Sequence, residues 1–207
     1  VEQGMVELLK KLHDESGQKV SIIGWSLGGV YARMLASSYS HMIRDVITLG
    51  SPFSGSPRAT NAWRVYEGVS GQSSHDPPRM KFGQPTPPVP STSIFSRTDG
   101  VVAWRCSIEK TGPQSENIEV IASHLGLGAH PAVLYAVADR LAQSEGRFTQ
   151  FDRSGPFAIA YAPPEQAQAR WSNSKAPQRA VLRAFEVGQK WVSDRNGHRL
   201  SRLFWIG

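Results

Sequence analysis

The chain of 207 residues has one cysteine, Cys106. An intrachain disulfide is therefore impossible, and a cysteine-rich metal site is excluded. A lone thiol fits a reducing, cytoplasmic compartment. No apolar run approaches the roughly 18 residues that a membrane-spanning helix needs, so no transmembrane segment is expected. The opening Val1-Glu2-Gln3-Gly4-Met5 lacks both the basic start and the apolar stretch of a signal peptide. No two of the six histidines are four residues apart, so the helical spacing of a zinc site is missing. No metal or other cofactor is expected, and there are no internal repeats.

Clustered charge is also scarce. The net charge is +6, and all of the excess lies after residue 146, where ten Lys/Arg meet four Asp/Glu. The first 146 residues hold thirteen of each sign. The basic residues are scattered singly, with no aromatic-basic motif beside them, so a solvated surface is expected and no nucleic-acid partner. Hydrophobic residues at 40% and charged residues at 19% are ordinary for a globular domain with one core.

What is present alternates between two periods. Val1, Met5, Leu8, Leu9 and Leu12 have helical spacing, ended by Asp14-Glu15-Ser16-Gly17. Val20-Ser21-Ile22-Ile23 reads as a buried strand, residues 27–39 as a helix, and Asp45-Val46-Ile47-Thr48-Leu49 as a second strand closed by Gly50-Ser51-Pro52. Residues 53–92 are rich in Pro, Gly and Ser, with a short helix expected near 62–66. Such a segment reads either as a short lid or as an ordinary loop. Residues 92–96 and 118–122 are the third and fourth strands. Pro131 opens a helix with Val133, Leu134, Val137, Ala138 and Leu141 on its inner face. Past Gly146 the pattern weakens. Residues 157–161 are a possible strand, and Val181, Leu182, Phe185, Trp191 and Val192 a possible helix face. Strands alternating with helices predict a mostly parallel sheet with flanking helices, a three-layer α/β/α arrangement.

The decisive segment is Gly24-Trp25-Ser26-Leu27-Gly28, a G-x-S-x-G between the first strand and the second helix. The bare motif arises by chance in roughly one sequence in six of this composition, so the strand-turn-helix context carries the weight. A hydroxyl nucleophile must be lifted clear of a sheet on a sharp turn with strained backbone angles. Gly24 and Gly28 leave room there, and the helix start aims backbone N–H groups at an acyl oxygen, Leu27 N–H first.

Serine needs a base, usually a histidine held by a carboxylate, and on such a turn the chain order is Ser, acid, His. The third strand runs into Asp99 and the fourth into His124, so both fall at strand ends. Asp76 lies in the Pro-rich stretch with no strand to fix it, and Asp45 begins a strand at the wrong end of a parallel sheet. His130, just before Pro131, reads as a cap or contact of the last helix. His13, His41, His75 and His198 read as surface residues. Trp25, Phe53 and Trp104 are candidate walls for a substrate chain, although aromatics are more often core.

Four stretches in order, Gly24–Gly29, Val46–Pro52, Ser93–Val102 and Ser123–Leu127, resemble the α/β-hydrolase superfamily. More closely, they resemble small bacterial lipase/esterase-type (triacylglycerol lipase-like) serine hydrolases. The resemblance covers about residues 1–145. It implies carboxylic-ester hydrolysis through an acyl-enzyme, with Ser26, Asp99 and His124 as nucleophile, acid and base and a small ester or lipid as substrate. It also implies an earlier strand followed by a loop that gives a second oxyanion N–H, and no such segment precedes Val20. A partial α/β-hydrolase fold is therefore expected, with residues 1–146 as its core and 147–207 as a basic extension. The nucleophile strand is expected to be unpaired on one side, an aggregation hazard. Two other readings stand beside the esterase: a catalytically incomplete fragment or partner-binding domain, and an acyltransferase or thioesterase using the same triad. Acyl preference and oligomeric state have no signature in the sequence.

Overall fold

The computed structural model describes residues 2–54, 85–154, 158–161 and 203–206. The elements run α1 (Glu2–Ser16), β1 (Val20–Trp25), α2 (Leu27–Ser38), β2 (Ile43–Leu49), β3 (Ser91–Phe95), β4 (Ser115–Glu119), α3 (Pro131–Leu141) and β5 (Leu203–Ile206). The strands form one sheet in the order β4-β3-β2-β1-β5, parallel throughout. Helices cover both faces of the sheet, the three-layer α/β/α arrangement expected of a partial α/β-hydrolase fold.

Alternation along the strands separates two layers of apolar packing. Val20, Ile22, Ile43 and Val46 join Leu9 of α1 and Ala32, Leu35 and Ala36 of α2 in one buried cluster. Ile23, Ile47, Ile94 and Ile118 join Ala132, Val133, Ala136 and Val137 of α3 in the other. Successive residues such as Ile22 and Ile23 thus face opposite helices, as expected for a sheet covered on both sides. Each fully buried isoleucine contributes about 1.5–3 kcal/mol. The helix α1 ends where Gly17 takes φ +63° and its N–H reaches the His13 carbonyl. Leu134 of α3 is 38% exposed, off the inner face assigned to it from spacing.

Three expectations need correction. The fourth strand is Ser115–Glu119, three residues earlier than its apolar pattern indicates. Its polar residues have partners: buried Glu116 is ion-paired to Arg140 and accepts the Phe151 N–H at 2.9 Å, and half-buried Asn117 bonds the Glu109 backbone. Ala158–Tyr161 is a 3-10 turn, not a strand. It buries Tyr161, whose hydroxyl donates to the Ala132 carbonyl at 2.7 Å. The strand that leads into Ser26 is not an open edge, because β5 pairs with it from Ser21↔Leu203 to Gly24↔Ile206. A short run from the distant tail supplies the ladder partner that β1 was expected to lack. The expected short helix near 62–66, the acid candidate Asp76 and the expected helix face at 181–192 lie outside the described residues.

Candidate active site

The turn from β1 into α2 carries Ser26 at φ 53° and ψ −123°. Among the described residues it is the one non-glycine with positive φ, a conformation costing on the order of 1–3 kcal/mol that the surroundings must enforce. Several contacts do so. The Ser26 N–H donates to the Leu49 carbonyl at 2.9 Å, tying the turn to the end of β2. A Cβ on Gly24 would stand 2.4 Å from Gly29 Cα, and one on Gly28 would stand 2.1 Å from the Ile206 carbonyl oxygen. The helix therefore approaches β1 closely only because the first glycine lacks a side chain. The end of β5 approaches the helix only because the second does.

Asp99 and His124 come from the loops that follow β3 and β4, at the same end of the sheet as Ser26. The His124 backbone N–H donates to the Asp99 carbonyl at 3.0 Å, so the two loops are joined by their main chains as well. Asp99 Oδ1 accepts the N–H groups of Val101 at 2.9 Å and Val102 at 2.6 Å. Its Oδ2 lies 2.7 Å from His124 Nδ1. A carboxylate accepting at both oxygens requires Nδ1 to carry the proton, which leaves Nε2 of a neutral ring as an acceptor. Nε2 lies 3.0 Å from Ser26 Oγ. Asp99 is 5% exposed and His124 6%. The arrangement can take the Ser26 proton onto Nε2 and hold the resulting imidazolium against Asp99.

The remaining candidates are placed as follows. Leu27 opens α2, with its N–H in the first helical turn beside Ser26. The indole Nε1–H of Trp25 donates to the His124 carbonyl at 3.2 Å, and its ring centroid lies 5.7 Å from that of the imidazole. Phe53 is 1% exposed beneath the Arg33 guanidinium, 3.9 Å from its ring centroid, so it is a core contact and not an open wall. Trp104 stacks on Phe95 and has the guanidinium groups of Arg97 and Arg105 each 4.6 Å from its ring centroid. Asp45 bonds Arg44 and Ser21 near the start of β2, away from Ser26, and burial pushes its carboxyl above the usual range despite Arg44. His130 caps α3 by accepting the Ala132 N–H at 3.3 Å, as its position before Pro131 indicates, and burial holds its pKa below the ordinary value.

Spacing alone missed Gly50. It takes φ +51°, and a Cβ there would come within 2.8 Å of Asp99 Oδ2. Its place directly after a buried strand is the signal that could have marked it. Among the described residues, no group of three or more His, Cys, Asp or Glu could hold a metal ion, and no helix is long and apolar enough to cross a membrane.

A family model described as a PGAP1-like alpha/beta domain matches residues 3–100, just under half of the chain and including the whole Ser26 turn. Over those residues the chain is similar to that alpha/beta domain family. No curated protein matches it. Among solved structures it is similar to a monoacylglycerol lipase from Paleococcus ferrophilus, with 12% identity, TM-score 0.40, and coverage of 58% of this chain and 65% of that one. It is also similar to MGS-MChE2, an alpha/beta hydrolase enzyme from a lagoon-sediment metagenome of Mar Chica, Morocco, with 19% identity, TM-score 0.37 and coverage of 63% and 64%. A third is a serine hydrolase involved in carbazole degradation, with 17% identity, TM-score 0.36 and coverage of 60% and 65%. The matched part of this chain thus spans just under two thirds of the length of each of these proteins.

Proposed function

We propose that this chain is a serine hydrolase that cleaves carboxylic esters through an acyl-enzyme. The observation that carries the reading is the continuous hydrogen-bond line Ser26 Oγ, His124 Nε2, His124 Nδ1, Asp99 Oδ2, with contacts of 3.0 and 2.7 Å. In this reading His124 Nε2 accepts the Ser26 proton as Oγ attacks the ester carbonyl. Asp99 holds the tautomer and stabilises the imidazolium. The oxyanion of the tetrahedral intermediate is held by Leu27 N–H. His124 returns its proton to the departing alcohol oxygen. Water, deprotonated in turn by His124, attacks the acyl-enzyme and releases the acid and Ser26. The substrate is a small ester or lipid, and Trp25 and Trp104 are the aromatics left as wall candidates once Phe53 is assigned to the core.

The test is steady-state hydrolysis of p-nitrophenyl esters of short and medium acyl chains by the whole chain and by Ser26→Ala. The reading predicts turnover in the first and a loss of about 10⁶-fold in kcat in the second. Equal turnover in both would sink it. Product analysis with added alcohol or with a thioester separates hydrolysis from acyl transfer and thioester cleavage, because the pocket and water exclusion choose the acceptor.

A further inference from the structure

We propose that Trp25 is a positioning residue for the histidine base, holding the His124 main chain through its indole N–H and presenting its ring to the imidazolium that forms when Ser26 loses its proton. The inference rests on the serine-hydrolase reading above. It assigns Trp25 a role other than that of a substrate wall.

The loop that carries His124 is short and irregular, and His124 must place two ring nitrogens at once. Its backbone is held from two sides. The N–H is held by the Asp99 carbonyl at 3.0 Å. The carbonyl is held by the Trp25 Nε1–H at 3.2 Å. Trp25 is the last residue of β1, a strand paired on both sides in the sheet, and it directly precedes Ser26. One rigid strand end therefore carries the nucleophile and, through the indole, sets the position of the base. Without the N–H of Trp25 the His124 carbonyl loses that side-chain donor, and the His124 main chain keeps the contact of its N–H with the Asp99 carbonyl.

The ring contact has its own consequence. The centroids of Trp25 and His124 are 5.7 Å apart with planes inclined by 33°, inside the roughly 6 Å range in which an aromatic face attracts a cation. Neutral imidazole gains little from this contact and imidazolium gains more, so the benefit grows as the proton moves from Ser26. Among the described residues, the charged or titratable group hydrogen-bonded to the His124 ring is Asp99 at Nδ1, and the Ser26 hydroxyl faces Nε2. Trp25 adds a third, uncharged influence from β1.

Two variants separate the two contributions, each made in the whole chain. Trp25→Phe keeps a ring and removes the donor. Trp25→Leu removes both. Two readouts are taken: the rate of Ser26 modification by a fluorophosphonate, and the His124 imidazole titration followed by NMR in a Ser26→Ala background. For Trp25→Phe the expected result is labelling about fivefold to tenfold slower, the size of one lost hydrogen bond, with the titration nearly unmoved. For Trp25→Leu a further slowing is expected, with His124 titrating about half to one and a half pH units lower, the range of one cation–π contact from exposed to desolvated. The slowing should be the same for a short-chain and a long-chain fluorophosphonate. Slowing that appears with the long-chain reagent alone would overturn the proposal in favour of a substrate wall, as would unchanged rate and titration in both variants. The titration does not depend on reactivity. If the wild-type chain failed to label while Trp25→Leu still lowered the His124 titration, the hydrolase reading would fall and the coupling of Trp25 to His124 would stand.

Discussion

Two kinds of buried polar array share this sheet, and they differ in the partner given to the carboxylate. Glu109 is paired with Arg33, and Glu116 with Arg140. Asp99 is paired with His124. All three carboxylates are nearly inaccessible to water. Arginine does not release its proton in a protein, so an Arg–Glu pair can only hold elements together. The Arg33–Glu109 pair does so across the chain. Arg33 in α2 donates to the Pro85 carbonyl and covers Phe53, while Glu109 accepts from Thr86 and Ser91. It thereby ties α2, which begins just after Ser26, to the chain on both sides of residues 55–84. Histidine exchanges its proton near neutral pH, so Asp99–His124 can do what the other pairs cannot. The lesson is that buried charge alone does not mark a site; a buried carboxylate whose partner can move a proton to a hydroxyl does.

The comparison can be broken at several points. The largest effect is expected for Asp99→Asn. It preserves shape but favours the wrong tautomer of His124, and ester turnover should fall about 10⁴-fold with little change in thermal midpoint. A fall below tenfold would place Asp99 with the structural carboxylates. Next in size is Arg33→Met. It leaves Glu109 buried without its ion pair, so unfolding free energy should drop by about 3–5 kcal/mol, while folded molecules keep their labelling rate. Denaturant unfolding measures the drop, and the Arg33→Met/Glu109→Gln double variant should recover much of it. The smallest effect concerns His130. Burial lowers its pKa in the folded state from the ordinary 6.5, so below 6.5 the unfolded chain takes up the proton more readily. Its share of stability is full above 6.5 and is lost as pH falls toward the lowered folded value. His130→Asn, a cap that does not titrate, should flatten that part of the dependence of thermal midpoint on pH.

Much of this was legible in the sequence, for identifiable reasons. The Ser26 turn is local: two glycines, a buried strand before it and a helix after it fix its geometry within a dozen residues. Asp99 and His124 stood out because each follows an apolar run that reads as a strand. The register of β4 was not readable, since Glu116 and Asn117 look like loop residues until Arg140 and Glu109 are brought to them by the fold. The pairing of β5 with β1 was equally hidden. Leu203–Ile206 is a four-residue strand whose partner lies nearly the whole chain away, and no local period announces such a contact. Phe53 was misjudged for a related reason. A lone aromatic after a strand carries no sign of whether a buried arginine will cover it.

The central claim is that Ser26 is a nucleophile activated by His124, and mass spectrometry of the fluorophosphonate-treated chain tests it most directly. The account predicts a single covalent adduct mapped to Ser26, absent in Ser26→Ala and lost in a folded His124→Ala variant. A folded wild-type chain that forms no adduct, or one that labels at Ser26 equally well without His124, would contradict it.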